Sequence, residues 1–192
     1  MSLEVINNGS FVGDPSAEFI YNSFEKSKNN FSEIKDYTGW GAYTDTQYTS
    51  GSPFVLLADE NNYTNLPNNA GGVLEPHMPS DVLKFYDGVT GKILGRNGDG
   101  LAWSIEIKAS PSANNTWMEM GIDIGGGIPI LYPDTFTFPR GTGVERSIIY
   151  AIPSAYTLDT WEANGGIVKI KSNNNVNIHS IRYVFNRLHK AR

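Results

Sequence analysis

Glu106, Glu119 and Asp123 are the residues best placed for chemistry, because alternation along two strand-like runs would bring their carboxylates to one sheet face. Two carboxyl groups so placed are the apparatus of glycoside hydrolysis, one donating a proton while the other attacks or activates water. Lys108, Lys169 and Lys171 fall on equivalent outward positions, however, and cross-strand ion pairing accounts for the same acids without catalysis. The one glycine-rich stretch, Ile124-Gly125-Gly126-Gly127-Ile128-Pro129, lacks both the Lys-Ser/Thr of a phosphate loop and the spacing of a dinucleotide fingerprint. Pro129 also removes a backbone donor where a phosphate-binding helix would begin, so a hairpin turn or bulge is expected. His77, His179 and His189 are scattered without metal-ligand spacing, and His179, set among strand residues, is expected to pack or pair. There is no cysteine and no GxSxG elbow, which leaves no nucleophile constellation. No catalytic residue, metal or cofactor is assigned.

Aromatic side chains offer a second kind of chemistry. Trp40, Tyr43 and Tyr48 cluster in a Gly/Thr-rich stretch that reads as strand or loop. Exposed rings stacking on sugars would bind host surface glycan, while burial at the edge of a core is the alternative. The C-terminal end carries Arg182, Arg187, Lys190 and Arg192 with no acid after Glu162, either a solvated tail or a surface for an acidic partner.

These residues must be positioned by a chain of 192 residues, enough for one ordinary domain plus a small appendage. Charged residues make up 18% and the 20 glycines imply many tight turns, a balance found in β-rich extracellular and virion proteins. A net charge of −5 argues against a nucleic-acid partner, since phosphate binding needs clustered cations. The first ten residues do not read as a signal peptide and no run approaches a membrane span, so assembly in a cytoplasm without membrane insertion is expected. Four Asn-x-Ser/Thr sequons, at Asn8, Asn30, Asn62 and Asn114, are ascribed to chance.

Near the start, Asp14 can cap a helix and Pro15 occupies a tolerated first-turn position. Ala17, Ile20, Phe24, Phe31 and Ile34 then form one stripe. This helix would pack either on its own domain or on a neighbouring subunit. After Asp36 the pattern changes to short β runs between turn signals such as Gly51-Ser52-Pro53, Asn97-Gly98-Asp99-Gly100 and Asn173-Asn174-Asn175. Leu101, Trp103, Ile105 and Ile107 alternate with polar or small residues, as do Met118, Met120, Ile122 and Ile124. Further runs cover residues 54–58, 84–87, 135–138, 146–152, 166–172 and 176–188, a number that suits an eight-stranded jelly roll. The expected fold class is all-β, a jelly-roll β-sandwich over residues 37–192 behind an amphipathic α-helix within an adaptor, residues 1–36. In the last run Ile181, Tyr183 and Phe185 alternate on one face, and Ile178, Val184 and Leu188 on the other. Both faces then call for cover, which points to oligomerisation through Ile178, Tyr183, Val184 and Phe185.

Ile6-Asn7-Asn8-Gly9, Gly13-Asp14-Pro15, Ser23-Phe24-Glu25-Lys26 and Asn29-Asn30-Phe31-Ser32-Glu33-Ile34 together resemble an N-terminal adaptor motif of tailed-bacteriophage virion proteins. Leu66-Pro67-Asn68-Asn69-Ala70-Gly71, Phe85-Tyr86-Asp87-Gly88, Gly121-Ile122-Asp123-Ile124-Gly125-Gly126, Thr137-Phe138-Pro139-Arg140-Gly141-Thr142-Gly143 and Ala163-Asn164-Gly165-Gly166 extend the resemblance to small marine-phage structural proteins. What the resemblance implies is a homotrimeric jelly roll of the capsid-decoration or head-fibre kind, located in the virion and without a catalytic site. Ile20, Phe24, Phe31 and Ile34 would then anchor the chain to other virion proteins. A receptor-binding tip of a tail or baseplate fibre, recognising host glycan, is the alternative use of the same body.

Overall fold

The computed structural model describes residues 23–28, 37–138 and 140–191. Residues 23–28 are helical; Ile20, Phe31 and Ile34 lie outside the described residues. The β body contains β1 (Gly39–Thr44), β2 (Phe54–Leu56), β3 (Asp59–Asn65), β4 (Gly72–His77), β5 (Tyr86–Asp87) and β6 (Lys92–Ile93). It continues through β7 (Gly100–Pro111), β8 (Thr116–Asp123), β9 (Leu131–Phe138), β10 (Arg146–Tyr156), a short helix α1 (Asp159–Asn164), β11 (Gly166–Ser172) and β12 (Val176–His189).

Strand pairing is nested. β1 pairs with β12, β6 with β11, β7 with β10, and β8 with β9, all antiparallel. These four pairs fall alternately into two sheets, β10-β7-β12-β1-β4 and β5-β6-β11-β8-β9, with β2 added on β12 and β3 on β11. A long antiparallel ribbon rolled so that successive pairs enter opposite sheets is a jelly roll. The expected sandwich is therefore present. Short strands β3, β4 and β6 and the helix α1 are additions that periodicity did not disclose.

The two sheets share one interior. Leu101, Trp103, Ile105 and Ile107 of β7 face Met118, Met120 and Ile122 of β8 across it, all buried. Trp161 of α1 plugs one end, its ring 5.5 Å from that of Trp103 and its Nε1–H donating to the Ile93 carbonyl at 3.1 Å. At the other side Tyr43, Tyr86, Tyr183 and Phe185 meet edge to face, with Tyr86 and Tyr183 centroids 5.0 Å apart. Their hydroxyls secure a loop: Tyr183 donates to the Leu66 carbonyl at 3.0 Å and Tyr86 to the Asn68 carbonyl at 2.8 Å.

β12 corrects the two-sided reading. Its register against β7 shifts between His179 and Arg182, and Ser180 sits in the left-handed region at φ 54°. That extra residue is a β-bulge, and it changes the phase of the strand. Val176 and Ile178 point inward before it, and Ile181, Tyr183 and Phe185 point inward after it; all five are fully buried. Ile178, Tyr183 and Phe185 are thus core residues of their own chain and not an oligomer contact. Val184 faces outward and is half-buried.

With Ser180 deleted, the one extra residue of the bulge is gone, and strict alternation from Ile178 still points Ile181, Tyr183 and Phe185 inward. Burial of each contributes roughly 1.5–3 kcal/mol, and their sum is comparable to a whole domain's stability of about 5–15 kcal/mol. The deletion variant should therefore keep a cooperative thermal transition, as should Ser180→Gly, which accepts the positive φ freely, whereas Ser180→Val, which resists that φ, should lose about 1–2 kcal/mol. A deletion variant without a cooperative transition would show that one extra residue at the bulge does not set the phase.

Candidate functional site

The structure separates the three acids. Glu106 lies on β7 in one sheet, whereas Glu119 and Asp123 lie on β8 in the other. Each meets a cation: Glu106 with Arg182 at 3.1 Å, Glu119 with Lys171 at 3.4 Å and Asp123 with Lys169 at 3.4 Å. Glu119 also accepts a hydrogen bond from the Tyr63 hydroxyl, and the Lys171 ammonium sits 4.6 Å from the centre of the Tyr63 ring. Partial burial would raise the Glu119 carboxyl, but the Tyr63 hydrogen bond and Lys171 outweigh it and hold the group below its ordinary range. A glycosidase acid requires the opposite shift. Lys108 pairs elsewhere, with Glu145 at 3.0 Å.

Each histidine has a neighbour that accounts for it. His179 lies in the bulge, Nδ1 2.9 Å from Ser180 Oγ and Nε2 2.7 Å from Glu145 Oε2, and so pairs as the sequence suggests. The serine of this Ser-His-carboxylate chain is the residue next to the histidine, and neither of the two cavities described below reaches it. His77 tilts against Trp40 with centroids 6.2 Å apart, and His189 against Tyr156 at 6.1 Å. Gly125, Gly126 and Gly127 take φ of 70°, 66° and 74°, three left-handed residues in succession that form the expected turn between β8 and β9. The Gly125 amide there donates to Asp123 Oδ1 at 2.8 Å.

The aromatic cluster disperses. Tyr43 is buried, its hydroxyl donating to Glu75 and accepting from the Phe85 amide at 2.7 Å, and burial pushes that phenol well up from its ordinary value. Tyr48 packs edge-on against Phe54 at 5.4 Å. Only Trp40 of the three opens toward a groove, a wide one of about 850 Å³ beside His77, Met78, Ala102, Asn186 and Leu188. One half-buried indole does not make the stacking platform that three exposed rings would have provided.

A buried ionic cluster is the feature that sequence reasoning missed. Continuing the inward phase of Tyr183 and Phe185, Arg187 enters the interior with 1% exposure. Its guanidinium donates from Nη2 to Asp81 at 2.8 Å, from Nη1 to Asp81 at 3.3 Å and from Nε to the Tyr37 carbonyl at 3.1 Å, and lies 3.8 Å from Asp99. Arg96 bridges the same acids, 2.8 Å from Asp81 and 3.2 Å from Asp99, and Lys190 approaches Asp81 at 3.5 Å. The basic C-terminal end is therefore engaged by the chain's own acids; Arg192 lies outside the described residues. The signal was present in the step of two from Phe185 to Arg187. Arg96, Asp81 and Asp99 also wall a cavity of about 240 Å³ floored by Phe85, Leu101 and Trp161. Among the described residues no group of three or more His, Asp or Glu could hold a metal ion, and no helix is long and apolar enough to cross a membrane.

No protein-family model and no curated protein matches the chain. Solved structures show distant likeness. Eiger TNF from S. frugiperda aligns over 80% of this chain and 96% of its own at 8% identity, with a TM-score of 0.49. PRD1 vertex protein P5 aligns over 81% and 98% at 12% identity, with a TM-score of 0.37. The infectious bursal disease virus VP2 subviral particle aligns over 81% and 54% at 12% identity, with a TM-score of 0.27. At these scores the likenesses add nothing to the assignment of a function.

Burial alone would raise the Asp81 carboxyl, but Arg187, by hydrogen bond and charge, and Arg96, by charge, bring it down to about 2. A depressed carboxylate stabilises the fold fully above its unfolded value near pH 4 and loses that contribution as pH falls through 2. The shift corresponds to roughly 2 kcal/mol. Urea unfolding at pH 6 and pH 2.5 should therefore show a smaller acid loss in Asp81→Asn than in the parent, by about that amount. Arg187→Met, which leaves Asp81 and Asp99 to Arg96 and Lys190, should cost about 1–3 kcal/mol at neutral pH.

Proposed function

We propose that the chain is a non-catalytic structural protein of a tailed-phage virion surface. In this reading it is a homotrimeric capsid-decoration or head-fibre protein, held to other virion proteins by residues 1–36 and exposing its jelly-roll body to the medium. The supporting observation is Phe24. It lies on a helical segment otherwise made of Ser23, Glu25, Lys26, Ser27 and Lys28, yet it is 71% exposed. A helix gains most of its stability by packing an apolar face, and this aromatic ring is not covered by the β body. This exposure supports docking on a neighbouring protein over packing on the chain's own domain. The adaptor-like motif that surrounds Phe24 in the sequence supports a virion protein as that partner.

Two further features agree with a structural role. The carboxylates suited to sugar chemistry are divided between sheets and neutralised. The interior is closed by aromatic contacts and ion pairs, as suits a building element.

Phe24→Ala combined with Phe31→Ala should remove the chain from purified particles while leaving the thermal transition of the free protein unchanged. The expected loss of incorporation is at least about 30-fold, the factor corresponding to about 2 kcal/mol for truncating a buried aromatic. Quantitative mass spectrometry of particles reads it directly. Unchanged occupancy, or loss of folding of the whole chain, would contradict the anchor assignment.

A further inference from the structure

The two outer faces of the sandwich are built differently. On the sheet containing β11 and β8 the outward positions carry Lys169, Lys171, Glu119 and Asp123, the solvated pattern of a strand with one wet face. On the other sheet, Leu74, Ala42, Val184, Ser104 and Ala151 lie side by side across β4, β1, β12, β7 and β10. That row holds no charge. The next, Trp40, Asn186 and Ala102, holds none either. On the opposite flank two ion pairs, Arg182 with Glu106 and then Lys108 with Glu145, close the face with cancelling charges. Leu74 and Leu188 remain 52% and 50% exposed at its margins.

We propose that this outer face is the contact between copies of the chain. The inference rests on the homo-oligomeric reading above and gives it a location, replacing the buried residues of β12. Three considerations make a second copy the occupant. The first is shape: beside Ala42, itself already buried, Ala102, Ser104 and Ala151 leave a low-relief pleated surface, which another sheet can approach to about 10 Å. Charge is the second. The chain as a whole carries −5, which opposes contact between acidic surfaces, but a neutral face can meet a neighbouring copy without like-charge repulsion. Area is the third. Five strands about 4.8 Å apart and three outward rows about 6.8 Å apart give roughly 500 Å² per copy in projection, or roughly 1,000 Å² for a pair. That reaches the range of about 1,000–1,200 Å² at which specific interfaces begin.

The test uses the full chain. Light scattering at micromolar concentration should give an oligomer for the parent and a monomer for Leu74→Glu/Val184→Glu, with association weakened at least about 100-fold. Thr137→Glu, on the opposite outer face, should leave the mass unchanged. Because the chain has no cysteine, Val184→Cys introduces a single site that a flexible bismaleimide should link between copies. A folded double variant that keeps the parental mass overturns the location while the oligomeric reading stands. A monomeric parent overturns both. If the double variant does not fold, failure of the assembled Val184→Cys protein to cross-link overturns the location instead. Binding of host polysaccharide that Trp40→Ala abolishes without changing the mass would assign the face to sugar and equally overturn the proposal.

Discussion

The phase of β12 constrains everything else in this molecule. It is the central strand of its sheet, hydrogen-bonded to β7, β1 and β2, and its side chains reach from one end of the sandwich to the other. A bulge at Ser180 lets a strand with apolar residues in both phases present Val176, Ile178, Ile181, Tyr183 and Phe185 to the interior. The cost is one non-glycine residue in the left-handed region, on the order of 1–2 kcal/mol. Against this stands the burial of Ile181, Tyr183 and Phe185, several-fold larger.

Two properties follow from that phase. The inward sequence runs on to Arg187, whose charge must be compensated inside the protein because an isolated buried cation is untenable. Asp81, Asp99 and Arg96 supply the compensation from two separate loops and thereby fasten the C-terminal end of β12 to the body. Beyond Arg182 the outward positions of the strand carry no charge, with Val184 and Asn186 beside Ala42 and Ala102. A strand whose inner face absorbs all the bulk leaves an outer face suited to close approach.

Legibility in the sequence tracked regularity. β7 and β8 alternate without interruption, and the expected faces of Leu101, Trp103, Ile105, Met118 and Met120 are the faces observed. The turn at Gly125–Gly127 and the pairing of His179 were likewise readable from local chemistry. β12 was misread because strict alternation assumes a constant phase, and nothing in Ile178-His179-Ser180-Ile181 declares where an extra residue is inserted. Tyr43 and Tyr48 look like exposed rings for the same reason that Arg187 looks like a tail residue: residue type suggests water, while tertiary pairing with Glu75, Phe54 and Asp81 decides otherwise. Short additions such as β6 and α1 contain too few residues for periodicity to register at all. The acids were legible as charges but not as partners, since only the sheet topology shows that Glu106 and Glu119 lie in different sheets.

Function in this account resides on surfaces and not in a pocket: an N-terminal segment bearing Phe24 that seeks a partner, and a neutral sheet face that seeks a copy. Cryo-electron microscopy of particles carrying the protein tests both together. The account predicts density in which copies meet through the outer face of the β10-β7-β12-β1-β4 sheet, while the chain before Tyr37 runs into the particle. Density with that sheet turned to the medium, copies touching through Lys169, Lys171 and Glu119 instead, and the N-terminal segment free of the particle would contradict it.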